Sequence, residues 1–303
     1  MDRRTFISAA AGSIPATGLI SGLFAAAGPE TKPAVPDKRI RKAVKIGMVG
    51  EGETLLDKFK IVKDLGFDGI ELDSPNKLDL TDVLTARDRT GLPIHGVVDS
   101  VHWSLPFSHP EAEVRRKAGE ALATAIRDAK DYGAKSVLLV PAIVNKQMSY
   151  DDAYKRSQEE IRKHVPLAAE LGVFIAIENV WNNFLLSPLE CARYIDELES
   201  PFVRDYFDVG NVVRSGWPEQ WIRILGRRIM KIDIKEYSRE KADKQGPGSG
   251  FAVELLEGDC DWPAVMNALR QIGFSGWATA EVPGGKRDRL KIIAERMDRI
   301  FAS

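Results

Sequence analysis

The sequence predicts an α/β protein whose main domain is a single (β/α)8 barrel, the TIM barrel architecture. From residue 43 onward, eight short apolar segments alternate with amphipathic stretches, a pattern typical of parallel strands joined by crossover helices. Eight such units in about 260 residues match the size of a closed barrel. An open, doubly wound sheet is the main alternative. However, the turn VGEGET after the first strand lacks the third glycine of a dinucleotide-binding fingerprint.

The strand candidates are runs of aliphatic and aromatic residues bounded by glycine, proline or polar residues. In chain order they are AVKIGMV (43–49), FDGIEL (67–72), LPIHGVV (92–98), SVLLV (136–140), VFIAIE (173–178), VRDYFDV (203–209), IMKIDI (229–234) and GWATAEV (276–282). The clearest helices lie at residues 111–133 and 150–172, and each stops at a glycine, as a C-cap would. Pro166 lies inside the second helix and is expected to kink or shorten it.

The first 27 residues predict an export signal. They have a basic start, a weakly apolar middle rich in Ala and Gly, and an Ala-x-Ala end at residues 25–27. Arg3 and Arg4, followed by Thr5 and Phe6, resemble a twin-arginine signal, so we expect an exported, periplasmic protein. The low hydrophobicity argues against stable membrane insertion. Residues 28–42 contain three prolines and read as a linker, which leaves residues 43–303 for the barrel.

Composition excludes some classes of partner and leaves others open. The chain has 303 residues, is 44% hydrophobic and 29% charged, and carries a formal net charge of −1. That charge gives no indication of a nucleic-acid partner, which would require a basic excess. Two cysteines, Cys191 and Cys260, are too few for a disulfide framework. A homo-oligomer is compatible with the sequence.

Carboxylates stand at or near the ends of five predicted strands, where barrel enzymes carry their catalytic groups. They are Glu71, Glu178, Asp208, Asp233 and Glu281. Successive residues of a strand point to opposite faces. In the fifth, seventh and eighth strands the acid falls on the less aliphatic face, which is expected to point to the barrel axis. The last four acids are therefore expected to converge at the mouth. Like charges in one pocket need a counter-charge, and all-oxygen ligation favours Mg²⁺ or Mn²⁺, with Co²⁺ and Zn²⁺ as further candidates.

A simpler interpretation is that these acids are ordinary strand-end residues. In that case they would form ion pairs with basic residues of the same region, namely Lys231, Lys235 or Arg239. The coincidence of four acids at successive strand ends with matching parity favours the metal hypothesis.

Several motifs carry a family resemblance. They are SVHWSLPFSHPEAEVRRKAGEALATAIRDAKDYGAKSVLLVPA (100–142), IAIENV (175–180), YFDVGNV (206–212), IDIKEYSR (232–239) and EGDCDWPAVMNALRQIGFSGWATAE (257–281). In order and spacing the chain resembles the sugar phosphate isomerase/epimerase superfamily of xylose isomerase-like barrels, over about residues 43–300. This superfamily includes ketose 3-epimerases and hydroxypyruvate isomerase-like proteins. The resemblance implies a small carbohydrate substrate.

The resemblance also implies roles for particular residues. It implies a divalent metal held by Glu178, Asp208, Asp233 and Glu281, with Glu178 and Glu281 also acting as acid/base groups. Two positions depart from the family. Asp233 stands where the family usually has a histidine ligand, and Asn211 stands where ketose epimerases usually have a substrate-contacting histidine. Both changes remove an imidazole.

Further side chains are candidates for substrate binding. Asn211 can still bond a hydroxyl group, and the resemblance places Arg239 at a substrate-contacting position. His102 follows the third strand, Glu71 belongs to the second, and Trp181 could stack on a sugar ring. For each of the last three, an ordinary packing role is an alternative.

The resulting hypothesis is a metal-dependent isomerase or epimerase of a small sugar, acting through a metal-stabilised enediolate. The alternative is a lyase or hydrolase of oxidised (3-keto) glycosides, which would use the same enolate chemistry but expel a leaving group. A sugar-binding barrel without catalysis would not need four acids. A nuclease of the endonuclease IV type would need a histidine-rich zinc cluster, and the chain has four histidines, all before residue 165.

Overall fold

The computed structural model describes residues 39–303, which form a closed barrel of eight parallel strands in sequential order. The fold prediction is therefore confirmed. The strands are β1 (Ile40–Lys45), β2 (Gly69–Ser74), β3 (Ile94–Asp99), β4 (Ser136–Leu139), β5 (Phe174–Glu178), β6 (Val203–Asp208), β7 (Ile229–Ile234) and β8 (Gly276–Ala280). The barrel closes where β1 pairs with β8 in parallel, with Ala43 opposite Thr279.

Helices connect successive strands and form the outer layer. They are α1 (Leu55–Asp64), α2 (Leu80–Thr90), α3 (Ala112–Tyr132), α4 (Tyr150–Leu171), α5 (Pro188–Asp196), α6 (Val209–Val213), α7 (Pro218–Leu225), α8 (Arg239–Gln245), α9 (Trp262–Gln271) and α10 (Arg287–Phe301). Within residues 39–303, no helix is both long and apolar enough to cross a bilayer.

The hydrophobic core lies between the barrel and its helices. Aliphatic residues of the strands, such as Ile175, Ile177 and Ile232, are fully buried there against the apolar faces of the helices. This is the arrangement that alternating side-chain direction in a strand predicts, because one face meets the helices and the other meets the barrel axis.

The barrel interior holds a buried polar network. The Tyr206 hydroxyl lies 3.1 Å from a Glu71 carboxylate oxygen and 2.8 Å from the Thr279 hydroxyl. The Lys231 ammonium donates to the His95 carbonyl at 3.0 Å and lies 3.6 Å from the other Glu71 oxygen. Glu71 is thus a buried interior residue of the barrel.

Three predicted details are corrected or lie outside the described residues. The first strand begins at Ile40, so the last residues of the predicted linker belong to the barrel. Helix α4 continues through Pro166 to Leu171, so this proline does not shorten it. The predicted signal, residues 1–27, lies outside the described residues, as does most of the predicted linker.

Candidate active site

Four carboxylates converge at the C-terminal mouth of the barrel. Glu178 and Asp208 end β5 and β6, Asp233 is the penultimate residue of β7, and Glu281 directly follows β8. One oxygen from each side chain lies within 4.8 Å of the others. The parallel order of the strands causes this, because consecutive strands present their carboxyl ends side by side at one rim.

Asn179 fixes the loops that follow β5 and β6. Its side-chain oxygen accepts from the Asp208 backbone N–H at 2.8 Å, and its amide donates to the Asp208 carbonyl at 2.9 Å. Asp208 in turn caps α6, because its carboxylate accepts from the Asn211 backbone N–H at 2.8 Å. The Asn211 side chain donates back to the Asn179 carbonyl at 3.0 Å. These reciprocal bonds hold two of the four acids in place.

Two lysines reach into the same cluster. The Lys45 ammonium, at the end of β1, lies 2.9 Å from both Asp233 Oδ2 and Glu281 Oε2. Lys235 lies 3.2 Å from Asp208 Oδ2 and 3.4 Å from Glu281 Oε1. The ion-pair interpretation is thus correct for Lys235, whereas Lys231 pairs with Glu71 inside the barrel.

Burial and mutual repulsion shape the acidity of the cluster. Burial, together with the neighbouring Glu281, raises the pKa of Glu178 well above its ordinary value. Burial also raises the pKa of Asp233 well above its ordinary value and that of Asp208 to about 6. Glu281 differs, because Lys45 and the second lysine overcome its burial and hold its pKa well below the usual range. The four acids are therefore not equivalent.

The cluster fits a single divalent cation. Carboxylate oxygens around one ion lie about 2.0–2.6 Å from it, so a spread of 4.8 Å is within reach of one coordination sphere. Asp233 Oδ1 is buried and has no hydrogen-bond partner among residues 39–303, so it is available as a ligand. When all four carboxylates are ionised they outnumber the two ammonium groups by two charges, which one divalent ion would balance. All-oxygen donors suit a hard cation.

A cavity of about 590 Å³ opens above the cluster. Its size is within the range of small-molecule sites. Glu178, Glu281 and both lysines of the cluster are among its lining residues. Its lining also includes Asp73, Asp99, His102 and Trp103. The acidic cluster therefore lies where a small bound molecule would reach it.

Three of the predicted substrate residues line this cavity, namely His102, Trp181 and Asn211. His102 is buried, and its Nδ1 accepts from the Val140 backbone N–H at 3.3 Å. Burial lowers its pKa to about 4, so the ring is neutral. The Trp181 indole donates to the Asn211 carbonyl at 2.9 Å, which orients its ring at the cavity edge.

The other two predicted substrate residues lie elsewhere. Glu71 is inside the barrel, because β2 continues three residues beyond it to Ser74. The Arg239 guanidinium donates to the carbonyls of Val213 at 2.8 Å and Gly216 at 3.0 Å. Arg239 thus secures the segment after β6 and does not line the cavity.

Sequence analysis missed Lys45, Asp73 and Asp99. Lys45 and Asp99 are the last residues of β1 and β3, and Asp73 is the penultimate residue of β2. Their positions at strand ends could have identified all three. The predicted strand limits lay elsewhere, so Asp73 and Asp99 were missed, and only acids were considered, so Lys45 was missed. Burial raises the pKa of Asp99 to about 7 and also raises that of Asp73.

The segment after β7 covers one side of the cavity. Glu236 organises it, because its carboxylate accepts from the backbone N–H groups of Leu256 at 2.9 Å and Cys260 at 3.1 Å and from the Trp262 indole at 2.8 Å. Phe251 of this segment lines the cavity and packs against the Trp181 ring at 4.7 Å between centroids.

A closed barrel with a cluster of four carboxylates at its C-terminal mouth defines the broad class of this protein. The family model for xylose isomerase-like TIM barrels matches residues 59–302, and the chain belongs to that family. The resemblance found in the sequence is confirmed.

Comparisons with individual proteins agree with this assignment. The chain is 25% identical over 260 residues to an L-ribulose-5-phosphate 3-epimerase of Salmonella paratyphi A, a match that covers 78% of this chain and 87% of the relative. Among solved structures, a D-tagatose 3-epimerase-like protein superposes with a TM-score of 0.72 at 18% identity, over 86% of this chain and 98% of that one. A 3-keto-D-glucoside 4-epimerase from E. coli superposes with a TM-score of 0.70, also at 18% identity and with the same coverage. The two solved structures show the shared fold.

Proposed function

We propose that this protein is a sugar epimerase or isomerase that depends on a divalent metal and acts at a carbon next to a carbonyl group. The observation that carries the proposal is the convergence of the carboxylates of Glu178, Asp208, Asp233 and Glu281 at the base of a cavity of suitable size. Relatives named as sugar 3-epimerases support the substrate class.

The residues of this chain suggest which group would perform each step of the reaction. A bound divalent cation would act as a Lewis acid and lower the cost of removing the proton beside the carbonyl. Glu178 ends β5 and Glu281 follows β8, and because these strands are not neighbours in the barrel, the two carboxylates reach the cavity from separate strands. Carboxylates on two sides of a planar intermediate can remove a proton from one face and return it to the other. Trp181 and Trp103 border the cavity and would restrict how a sugar ring lies in it.

A lyase or hydrolase of 3-keto glycosides is the second candidate. It is favoured by an adjoining cavity of about 490 Å³, which shares Val180, Trp181 and Asn211 with the main one and extends beyond β6. A glycosyl substituent would have room there. The two candidates differ in the mass of the product, because epimerisation conserves mass and removal of a leaving group does not.

The proposal is tested by metal analysis followed by incubation of the Mn²⁺- and Mg²⁺-loaded protein with free ketoses and 3-keto glycosides, with products followed by mass spectrometry and NMR. We expect turnover that EDTA abolishes. Glu178→Gln should abolish turnover while retaining metal, because it removes a proton acceptor but leaves an oxygen ligand. Glu170→Gln, on the exposed surface of α4, is the control. Undiminished turnover by Glu178→Gln would remove Glu178 from catalysis.

We also propose export through a twin-arginine signal at residues 1–27, a proposal supported by the sequence alone. Replacing Arg3 and Arg4 by lysine should retain the protein in the cytoplasm. An unchanged periplasmic yield would contradict it.

A further inference from the structure

We infer that the substrate is an unphosphorylated, uncharged sugar, and that this chain's own carboxylates exclude sugar phosphates. The inference rests on the proposed function and specifies its substrate class. It concerns the positions at which a (β/α)8 barrel ordinarily binds phosphate, namely the loops after β7 and β8 and a helix N-terminus beside them. In this protein those positions are already taken by anions.

The N-terminus of α10 follows β8, and it holds a carboxylate of the same chain. The Arg287 backbone N–H donates to Glu51 Oε2 at 3.0 Å. Glu51 belongs to the loop after β1, which is fixed to the loop after β8 because the Gly50 N–H donates to the Gly285 carbonyl at 2.9 Å. A phosphate approaching this helix end would meet a negative charge that the backbone holds in place.

The segment after β7 is closed to phosphate in the same way. The Arg239 backbone N–H, at the start of α8, donates to Asp259 Oδ2 at 2.7 Å. The Lys241 N–H donates to the Ser238 hydroxyl at 3.3 Å. Two backbone donors of this turn are therefore already paired, one of them with a second carboxylate.

Four cations near the site are also engaged. Arg239 binds two carbonyls, and Arg289 pairs with Glu254 and donates to the Pro283 carbonyl at 3.1 Å. The main cavity is lined by two cations, Lys45 and Lys235, and both pair with the acidic cluster. A bound phosphate group would have to compete with these carboxylates.

The cavity wall adds two further carboxyl groups, and burial raises the pKa of both, that of Asp99 to about 7. Asp73 and Asp99 line it, and neither forms an ion pair with a lysine, arginine or histidine of residues 39–303. A phosphate ester carries about −1.5 to −2 charges at neutral pH and would be repelled by these groups in their ionised form. Hydroxyl groups, by contrast, can donate to these carboxylates and bond to the side chains of His102 and Asn211. The wall thus suits a neutral polyol.

The test uses the Mn²⁺-loaded, full-length protein and matched pairs of ligands: L-ribulose with L-ribulose 5-phosphate, and D-fructose with D-fructose 6-phosphate. Binding is measured by calorimetry and turnover by NMR. We expect the phosphate ester of each pair to bind at least tenfold more weakly than the free sugar and to be turned over more slowly. Tighter binding or faster turnover of the phosphate esters would overturn the inference and leave the proposed function intact. Turnover of neither member of any pair would count against the proposed function itself.

Two variants test the physical cause. Glu51→Ala should tighten binding of the phosphate esters about two- to fivefold, the range given by a charge at a helix end, and should leave the free sugars unaffected. Glu53→Ala removes an exposed acid of the same loop and is the matched control. No gain by Glu51→Ala over this control would contradict the blocking role. Arg214, whose guanidinium lies 5.1 Å from the Trp181 ring centre, lines the adjoining cavity and is a further place where a phosphate could bind. Strong phosphate-ester binding by the wild type that Arg214→Ala abolishes would overturn the inference.

Discussion

Replacing Lys45 by methionine tests whether the acidic cluster is built to hold a cation. The Lys45 ammonium lies 2.9 Å from both Asp233 and Glu281, and it is about four-fifths buried. Methionine keeps most of the side-chain volume but removes the charge. Without metal, the four carboxylates would retain Lys235 as their cationic partner. With metal, the bound cation would replace the lost charge and would no longer be repelled by the Lys45 ammonium.

The expected size of the effect follows from these contacts. Removing one partner of a buried ion pair costs about 3–5 kcal/mol. Because Lys45 retains some contact with solvent, we expect a loss near the lower end, about 3 kcal/mol, in the metal-free protein. At about 2 °C per kcal/mol for a domain of this size, the Tm should fall by about 6 °C. In excess Mn²⁺ the fall should be less than half as large.

The assay is thermal unfolding in EDTA and in MnCl₂, with Mn²⁺ affinity measured by calorimetry. Lys42→Met is the matched control, because Lys42 is a buried lysine of the same strand that pairs with Asp298 at 2.7 Å, outside the cluster. Its Tm loss should be equal with and without metal. By linkage, the larger metal-induced stabilisation of Lys45→Met should appear as tighter Mn²⁺ binding. Equal Tm losses in the two conditions for Lys45→Met would refute this reasoning.

Two further predictions concern other parts of the fold. Burial raises the pKa of Asp205 to about 7, so between about pH 4 and 7 the unfolded chain releases a proton that the folded protein keeps, and stability falls as pH rises. Asp205→Asn should remove this fall, which is on the order of 3 kcal/mol between pH 5 and pH 8, as measured by urea unfolding at the two pH values; an unchanged slope would contradict it. Glu236→Ala leaves four buried or half-buried N–H donors of the segment after β7 without an acceptor. It should destabilise the protein by about 3 kcal/mol and speed proteolysis within residues 238–261, whereas unchanged cleavage there would show that the carboxylate does not hold the segment.

The sequence was sufficient for the architecture and for the four acids because both depend on local periodicity. Strand parity placed Glu178, Asp233 and Glu281 on the inner face, strand-end position added Asp208, and barrel closure then brings consecutive strand ends together. The limits of a strand are less well defined by local pattern. Polar residues continue β2 to Ser74, so Glu71 was taken for a strand end although it lies inside the barrel.

Contacts between distant segments could not be predicted in this way. Lys45 meets Asp233 and Glu281 across 188 and 236 residues of sequence, and no local pattern indicates such a contact. Arg239 follows β7 as expected, but its guanidinium turns to carbonyls of the segment after β6. The direction of this guanidinium is set by the Val213 and Gly216 carbonyls, which lie close to Arg239 only in the folded chain.

Asp233 and Lys45 form an ion pair, and the presence of each residue accounts for the presence of the other. A histidine at position 233 would be a neutral ligand, whereas Asp233 adds a negative charge, and the Lys45 ammonium lies 2.9 Å from it. On the sequence alone, Asp233→His should be the mildest change among the ligands, because it restores the residue usual in the family. The structure argues otherwise, because the histidine would leave Lys45 with one partner fewer beside a metal ion that repels it. We therefore expect Asp233→His to weaken Mn²⁺ binding at least tenfold, and the double variant with Lys45→Met to recover most of that loss. Strictly additive effects in this cycle would show that the two residues are independent.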